Sequence, residues 1–163
     1  MTQAARPTGE ELRELMQQVA QGTLSDLLGT RVLEADRGLV RARLEIDTHH
    51  LGPTGYVHAG TVVTLADTCA GMGCVASFPE GIRGFTTAEL KLNFLRSATP
   101  GDALVCDATL THSGRTTQVW DARVAREHDD RLLGLYRCTQ ILLPEVRDTR
   151  GRAWTGDDGG TDE

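Results

Sequence analysis

One carboxylate stands out by its surroundings. Asp67 is the only formally charged residue among the twenty-one between His58 and Glu80, in a chain whose charged residues amount to 25%. A carboxylate in such company is costly unless it is paired or put to use. At helical spacing its neighbours are Val63, Thr64, Ala70, Gly71 and Cys74, with Gly60 seven residues earlier. That face is mostly small, so it leaves space beside the carboxylate. Two readings fit: a hydrogen-bonded structural aspartate where helices pack closely, or a general base or nucleophile beside a cavity. His58 opens the same segment, in Gly55-Tyr56-Val57-His58-Ala59-Gly60. The start of a helix offers N–H groups without intrahelical acceptors at the positive end of its dipole. Those are the ingredients of an oxyanion hole, where one good donor contributes ~2.7–4 kcal/mol of transition-state stabilisation. A histidine there can equally cap or pack. The combination places donors at one end of the helix and a carboxylate about two and a half turns further in.

Several other constellations fail on inspection. Gly71-Met72-Gly73-Cys74-Val75-Ala76 matches a dinucleotide fingerprint as text, but it lies inside the proposed helix instead of opening one. His49 and His50 lack a carboxylate or cysteine at a metal-ligand spacing and read as a loop pair, so no metal site is expected. Cys69 and Cys74 read as small buried residues, since no base is placed beside them.

The elements that must position Asp67 follow from periodicity. Residues 58–78 show no period-2 alternation and are long enough for a helix of ~30 Å. Three glycines argue against a free-standing helix, so this one needs tertiary cover. Before it, Thr8 and Glu11 have capping-box spacing, and Leu12, Leu15, Met16 and Val19 recur on one face of an N-terminal helix within 1–23. A short helical turn over 23–28 stops at Gly29. Val40, Ala42, Leu44 and Ile46 alternate with polar residues, a strand pairing with 30–36 across Arg37-Gly38. After the long helix come four alternating runs, around 89–94, 104–110, 120–124 and 132–143, with turns at Ser113-Gly114 and 128–130. They predict a meander of neighbouring antiparallel strands. Residues 145–163 hold six acids, three arginines and four glycines, an acidic tail expected to be disordered.

Composition bounds the function classes. The chain has 163 residues and a net charge of −6, and the expected tail carries half of that charge. There is no cationic excess to neutralise phosphates, so no nucleic-acid partner is expected. Threonine, serine, glycine and Asp67 dilute the helical run, so no membrane partner is expected either. Four cysteines without a CxxC pair, and no apolar leader, point to a cytoplasmic protein.

The order of elements is that of an α+β hotdog fold, an antiparallel sheet wrapped around a long helix, over 24–144. Val57-His58-Ala59-Gly60, Leu65-Ala66-Asp67, Glu89–Arg96 with its Asn93-Phe94-Leu95-Arg96, and Gly114-Arg115 resemble the hotdog acyl-CoA thioesterases of the phenylacetate-pathway, PaaI-type group. The resemblance implies a homodimer or homotetramer with active sites at the subunit interface. It implies hydrolysis of an acyl-CoA without metal, coenzyme A being part of the substrate and not a cofactor. The Ala59 N–H would polarise the thioester carbonyl and His58 would shape that site. Asp67 of the partner subunit would be base or nucleophile, and Thr87 would orient water. Gly60, Gly71, Arg96, Gly114 and Arg115 would contact substrate, the arginines through the coenzyme A phosphates. Two departures stand out: relatives commonly carry Gly where Ala59 stands, and many carry Asn or Gln at the position of Gly52, with His50 a conceivable substitute. A non-catalytic acyl-CoA-binding protein and a hotdog dehydratase or hydratase are the other function classes on this fold.

Overall fold

The computed structural model describes residues 7–145. Helices α1 (Gly9–Val19) and α2 (Leu24–Leu27) precede the hairpin β1 (Arg31–Asp36) and β2 (Leu39–Glu45). A 3-10 turn at Thr48–His50 leads to α3 (Ala59–Ala76), and then β3 (Gly84–Phe94), β4 (Ala103–Ser113), β5 (Thr117–Arg126) and β6 (Leu132–Leu143) follow. All strand pairings are antiparallel, in the order β1-β2-β4-β5-β6-β3. The expected α+β architecture with a long helix against one sheet is the one observed.

The expected meander holds only for β4, β5 and β6. β3 does not pair with β4; it crosses to the far edge and pairs with β6, while β2 takes the place beside β4. Alternation reports which face of a strand is buried, not its neighbour. The crossing leaves one long side of β3 without a strand partner among the described residues, with Leu90 and Phe94, and Leu95 just beyond the strand, exposed.

α3 contacts all six strands and forms the centre of the core. Leu65, Ala66, Cys69, Ala70 and Cys74 are buried against Val40, Leu44, Leu104, Trp120, Leu133 and Cys138. The sequence boundaries of 58–78 shorten by a residue or two at each end, with His58 and Ser77 as caps. Its small residues have identifiable partners. A Cβ on Gly73 would lie 2.5 Å from ring carbons of Trp120, and one on Gly71 would lie 3.0 Å from Phe85. The helix therefore gives up ~1 kcal/mol of propensity per glycine to admit these rings. Trp120 donates its indole N–H to Gln118 (2.9 Å), and the Gln118 amide donates to the Ser77 carbonyl (3.1 Å), pinning the helix end to β5. By length and composition α3, with mean hydropathy 1.3, could cross a membrane, but here it is the helix inside the sheet.

α1 begins after Thr8 as expected, but the Thr8 side chain makes no capping bond. Glu10 instead pairs with Arg13 at 2.6 Å. Of the expected apolar face, Leu12 and Met16 are buried while Leu15 and Val19 are exposed. A capping box does form elsewhere, between Asp47 and His50 in the 3-10 turn. The acidic tail expected over 145–163 lies outside the described residues except for Glu145.

Candidate active site

The start of α3 is held in place by the loop before it. The Val57 N–H donates to the Ala98 carbonyl (2.9 Å) and the His58 N–H to the His50 carbonyl (2.8 Å). His58 is the helix N-cap, and its Nδ1 accepts the Gly60 N–H at 2.9 Å. A neutral ring that accepts through Nδ1 carries its proton on Nε2, so Nε2–H is a donor available to a ligand. Gly60 is what permits this contact: a Cβ there would lie 2.9 Å from Nδ1. Ala59 is the first helical residue, and its N–H has no acceptor among the described residues. Both donors are at the surface of the single chain.

Asp67 sits deeper and is half-buried. Its Oδ1 accepts the Tyr136 hydroxyl at 2.6 Å, and the Thr87 hydroxyl lies 3.4 Å from the same oxygen. Thr87 is also 3.0 Å from Oε1 of the fully buried Gln140. Burial, followed by the bond to Asp67, pushes the Tyr136 phenol well above its ordinary range, so it remains a protonated donor. Asp67 lies eight residues beyond Ala59 on the same helix, an axial separation of about 12 Å. A single carbonyl and its attacking water span only a few ångströms, so one chain does not bring donor and carboxylate together.

The cysteines are not part of this chemistry. Burial pushes the Cys74 thiol up to about 12. The Cys106 thiol is raised by its hydrogen bond with Cys69 and by burial, which keeps it protonated.

Comparison with known proteins places this geometry in a family. The family model described as thioesterase superfamily matches residues 54–133. The 1,4-dihydroxy-2-naphthoyl-CoA hydrolase of Listeria monocytogenes is 31% identical over 117 residues, 71% of this chain and 92% of the relative. The chain belongs to the thioesterase superfamily. The acyl-coenzyme A thioesterase PaaI of Escherichia coli is 26% identical over 110 residues, covering 68% of this chain and 75% of PaaI. A mutant thioesterase from Pseudomonas aeruginosa superposes with a TM-score of 0.76 at 25% identity, over 86% of this chain and 96% of that one. The resemblance to the PaaI-type group is thus shared by fold and sequence.

Within this thioesterase-superfamily chain the sequence-expected residues fall into three places. His58, Ala59 and Gly60 gather at the helix start, and Thr87 gathers with Asp67. Gly71 is buried beneath the Phe85 ring one turn beyond Asp67. Arg96 and Arg115 are at opposite ends of the sheet. Arg96 donates to the Leu132 carbonyl (3.1 Å) two residues before Ala98, at the end where α3 starts. Arg115 lies in the β4–β5 turn with Gly114, whose N–H donates to the Thr117 carbonyl (2.8 Å), at the end where α3 stops. α3 has 18 residues, which makes it roughly 27 Å long, so the two arginines of one chain do not share a phosphate.

His50 does not substitute at the Gly52 position. It is 2% exposed; Nδ1 accepts the Asp47 N–H and Nε2 donates to the Leu28 carbonyl, each at 2.9 Å. Both ring nitrogens are committed to the loop. Gly52 itself faces His58, where a Cβ would lie 3.5 Å from the imidazole Cδ2. Sequence reasoning missed Tyr136 and Gln140. Their signal lay in β6, where Tyr136, Cys138, Gln140 and Leu142 share one parity of an apolar strand and all are buried. A cavity of about 620 Å³ is lined mainly by polar residues of the sheet, among them Lys91, Asn93, Asp107, Arg123 and Arg137, with Tyr136 also on its wall; Asp67 does not line it.

Proposed function

We propose that this chain hydrolyses acyl- or aryl-coenzyme A thioesters to the free acid and coenzyme A, without metal, in sites shared between two subunits. The observation that carries this reading is the separation on α3: the exposed Ala59 N–H, without an acceptor among the described residues, and the half-buried Asp67 carboxylate stand about 12 Å apart along the helix. A second copy supplying one of the two closes that distance. The open side of β3, with its exposed apolar side chains, offers the edge for such pairing.

In the assembled site the thioester oxygen accepts hydrogen bonds from the Ala59 N–H and His58 Nε2–H of one subunit. The partner subunit's Asp67 takes a proton from a water oriented by Thr87 as the water oxygen attacks the carbonyl carbon. The resulting oxyanion is stabilised by the same two donors, whose bonds strengthen as charge develops. Collapse re-forms the C=O bond and breaks C–S. The sulfur leaves as coenzyme A thiolate and takes the proton back from Asp67. Arg96, beside the helix start, serves the phosphates of the coenzyme A bound there, and Arg115 reaches the same ligand only from the partner subunit. The names of the Listeria and Escherichia relatives support coenzyme A esters as the substrate class.

A panel of aromatic, short and long aliphatic coenzyme A esters, read by thiol release, tests the proposal. Hydrolysis of at least one ester is expected, with Asp67→Asn reducing kcat by about 10²–10⁴-fold. A folded Asp67→Asn protein with wild-type turnover on the best substrate refutes the role of Asp67. Hydration of an enoyl ester with no thiol released refutes hydrolysis.

A further inference from the structure

The sheet holds Asp67 from one side only. Tyr136 projects from the middle of β6, is 3% exposed, and donates its hydroxyl to Oδ1 at 2.6 Å. No donor among the described residues reaches Oδ2, and that oxygen is not among the sealed, unpaired buried atoms. The two carboxylate oxygens are therefore inequivalent: one is tied to the strand and the other is open. We propose that Tyr136 is a positioning residue that occupies Oδ1, fixes the rotation of the Asp67 carboxylate and presents Oδ2 to the attacking water. This rests on the reading of Asp67 as the base.

Three observations carry it. The bond is short and charge-assisted, the kind that holds a carboxylate in one rotamer. Tyr136 has a rigid two-torsion side chain packed on a central strand, whereas an exposed carboxylate would rotate freely. Thr87, the other hydroxyl near Oδ1, is 3.4 Å away and lies closer to Gln140, so it does not replace Tyr136 as the anchor. Gln140 in turn fixes Thr87: both are held by register, Thr87 opposite Gln140 in the β3–β6 pairing. The strand that carries Tyr136 and Gln140 past residue 133 is outside the span matched by the family model, which ends there.

The ionisable groups set against Asp67 are Tyr136 and Cys138, both from β6; Thr87 from β3 is uncharged, and α3 contributes no other charge.

The test is Tyr136→Phe, which deletes the hydroxyl and keeps the ring, measured alone and combined with Asp67→Asn on the best coenzyme A ester. Tyr136→Phe is expected to lower kcat about tenfold with KM little changed, a split that a general loss of structure would not produce. In the Asp67→Asn background the same change is expected to cost nothing further, because the tyrosine acts through the carboxylate. Thermal melts of all three variants report the folded fraction. An unchanged kcat overturns the proposal, as does an equal proportional loss in both backgrounds. If Asp67→Asn alone retains wild-type turnover, the reading of Asp67 as base fails instead, and the two failures are distinct.

Discussion

The proposed sharing of the site between two subunits predicts complementation between two inactive variants. Asp67→Asn removes the base and Ala59→Pro removes the donor, because proline has no N–H. Proline is tolerated at the first position of a helix. The preceding residue, His58, has φ −68° and ψ 140°, the extended conformation that a following proline requires. The substitution therefore replaces the N–H with a ring N–CH2 and leaves the helix start in place. Losing that donor is expected to lower kcat about 10²–10³-fold. In a mixed dimer, one site combines an intact Ala59 with the partner subunit's intact Asp67, and the other combines both defects. Random assortment makes about half of the dimers mixed, each with one working site of two, so the mixture recovers about one quarter of wild-type activity. If donor and base came from the same chain, every site would carry one defect and nothing would be recovered. The assay is co-expression with two tags, sequential affinity purification of the mixed species, and thiol release from the best ester. Purified mixed dimers no more active than the parents refute the argument from the 12 Å separation on α3.

Three further outcomes follow from contacts already described. Gly73→Ala gains ~1 kcal/mol of helix propensity but drives a methyl to 2.5 Å from Trp120. Overpacking of ~1–3 kcal/mol or more wins, and Tm should fall by about 2–6 °C, whereas Gly71→Ala, beside the movable half-buried Phe85 ring, stays within about 0.5 kcal/mol of wild type by denaturant titration. Gly52→Gln places an amide beside His58, 3.5 Å from the new Cβ, and steady-state kinetics should show kcat raised up to about tenfold through an added donor at the carbonyl site. The Asp129 carboxyl, held down to about 2 by the Arg126 guanidinium, contributes stability that is present above the unfolded value of 3.8 and is lost as pH falls through about 2. Arg126→Gln should therefore flatten the fall in Tm over that acid range.

Much of the site was legible in the residues themselves. An isolated charge in a long uncharged stretch is a local signal, because burying a carboxylate without a purpose is penalised wherever it occurs. The helix, its capping histidine and the orphan donors after it depend on residues within one or two turns, so sequence spacing exposes them. The hairpin at Arg37-Gly38 is equally local: Gly38 adopts φ 82°, which the turn requires. Tyr136 and Gln140 were legible only as members of a buried parity, since nothing in β6 says which residue of a helix that face will meet.

What the sequence alone determined is thus the inventory: one long helix, six strands with a buried face each, and a carboxylate with donors upstream. Tertiary structure decided the meetings. It moved β3 from beside β4 to the edge beside β6, which brought Thr87 and Tyr136 to Asp67 and left one side of β3 without a strand partner among the described residues. It retired His50 to a loop clamp and separated Arg96 from Arg115 along the length of α3. The physical reason is that periodicity encodes which side of an element avoids water, while strand order and side-chain partners depend on long-range pairing that no local pattern records.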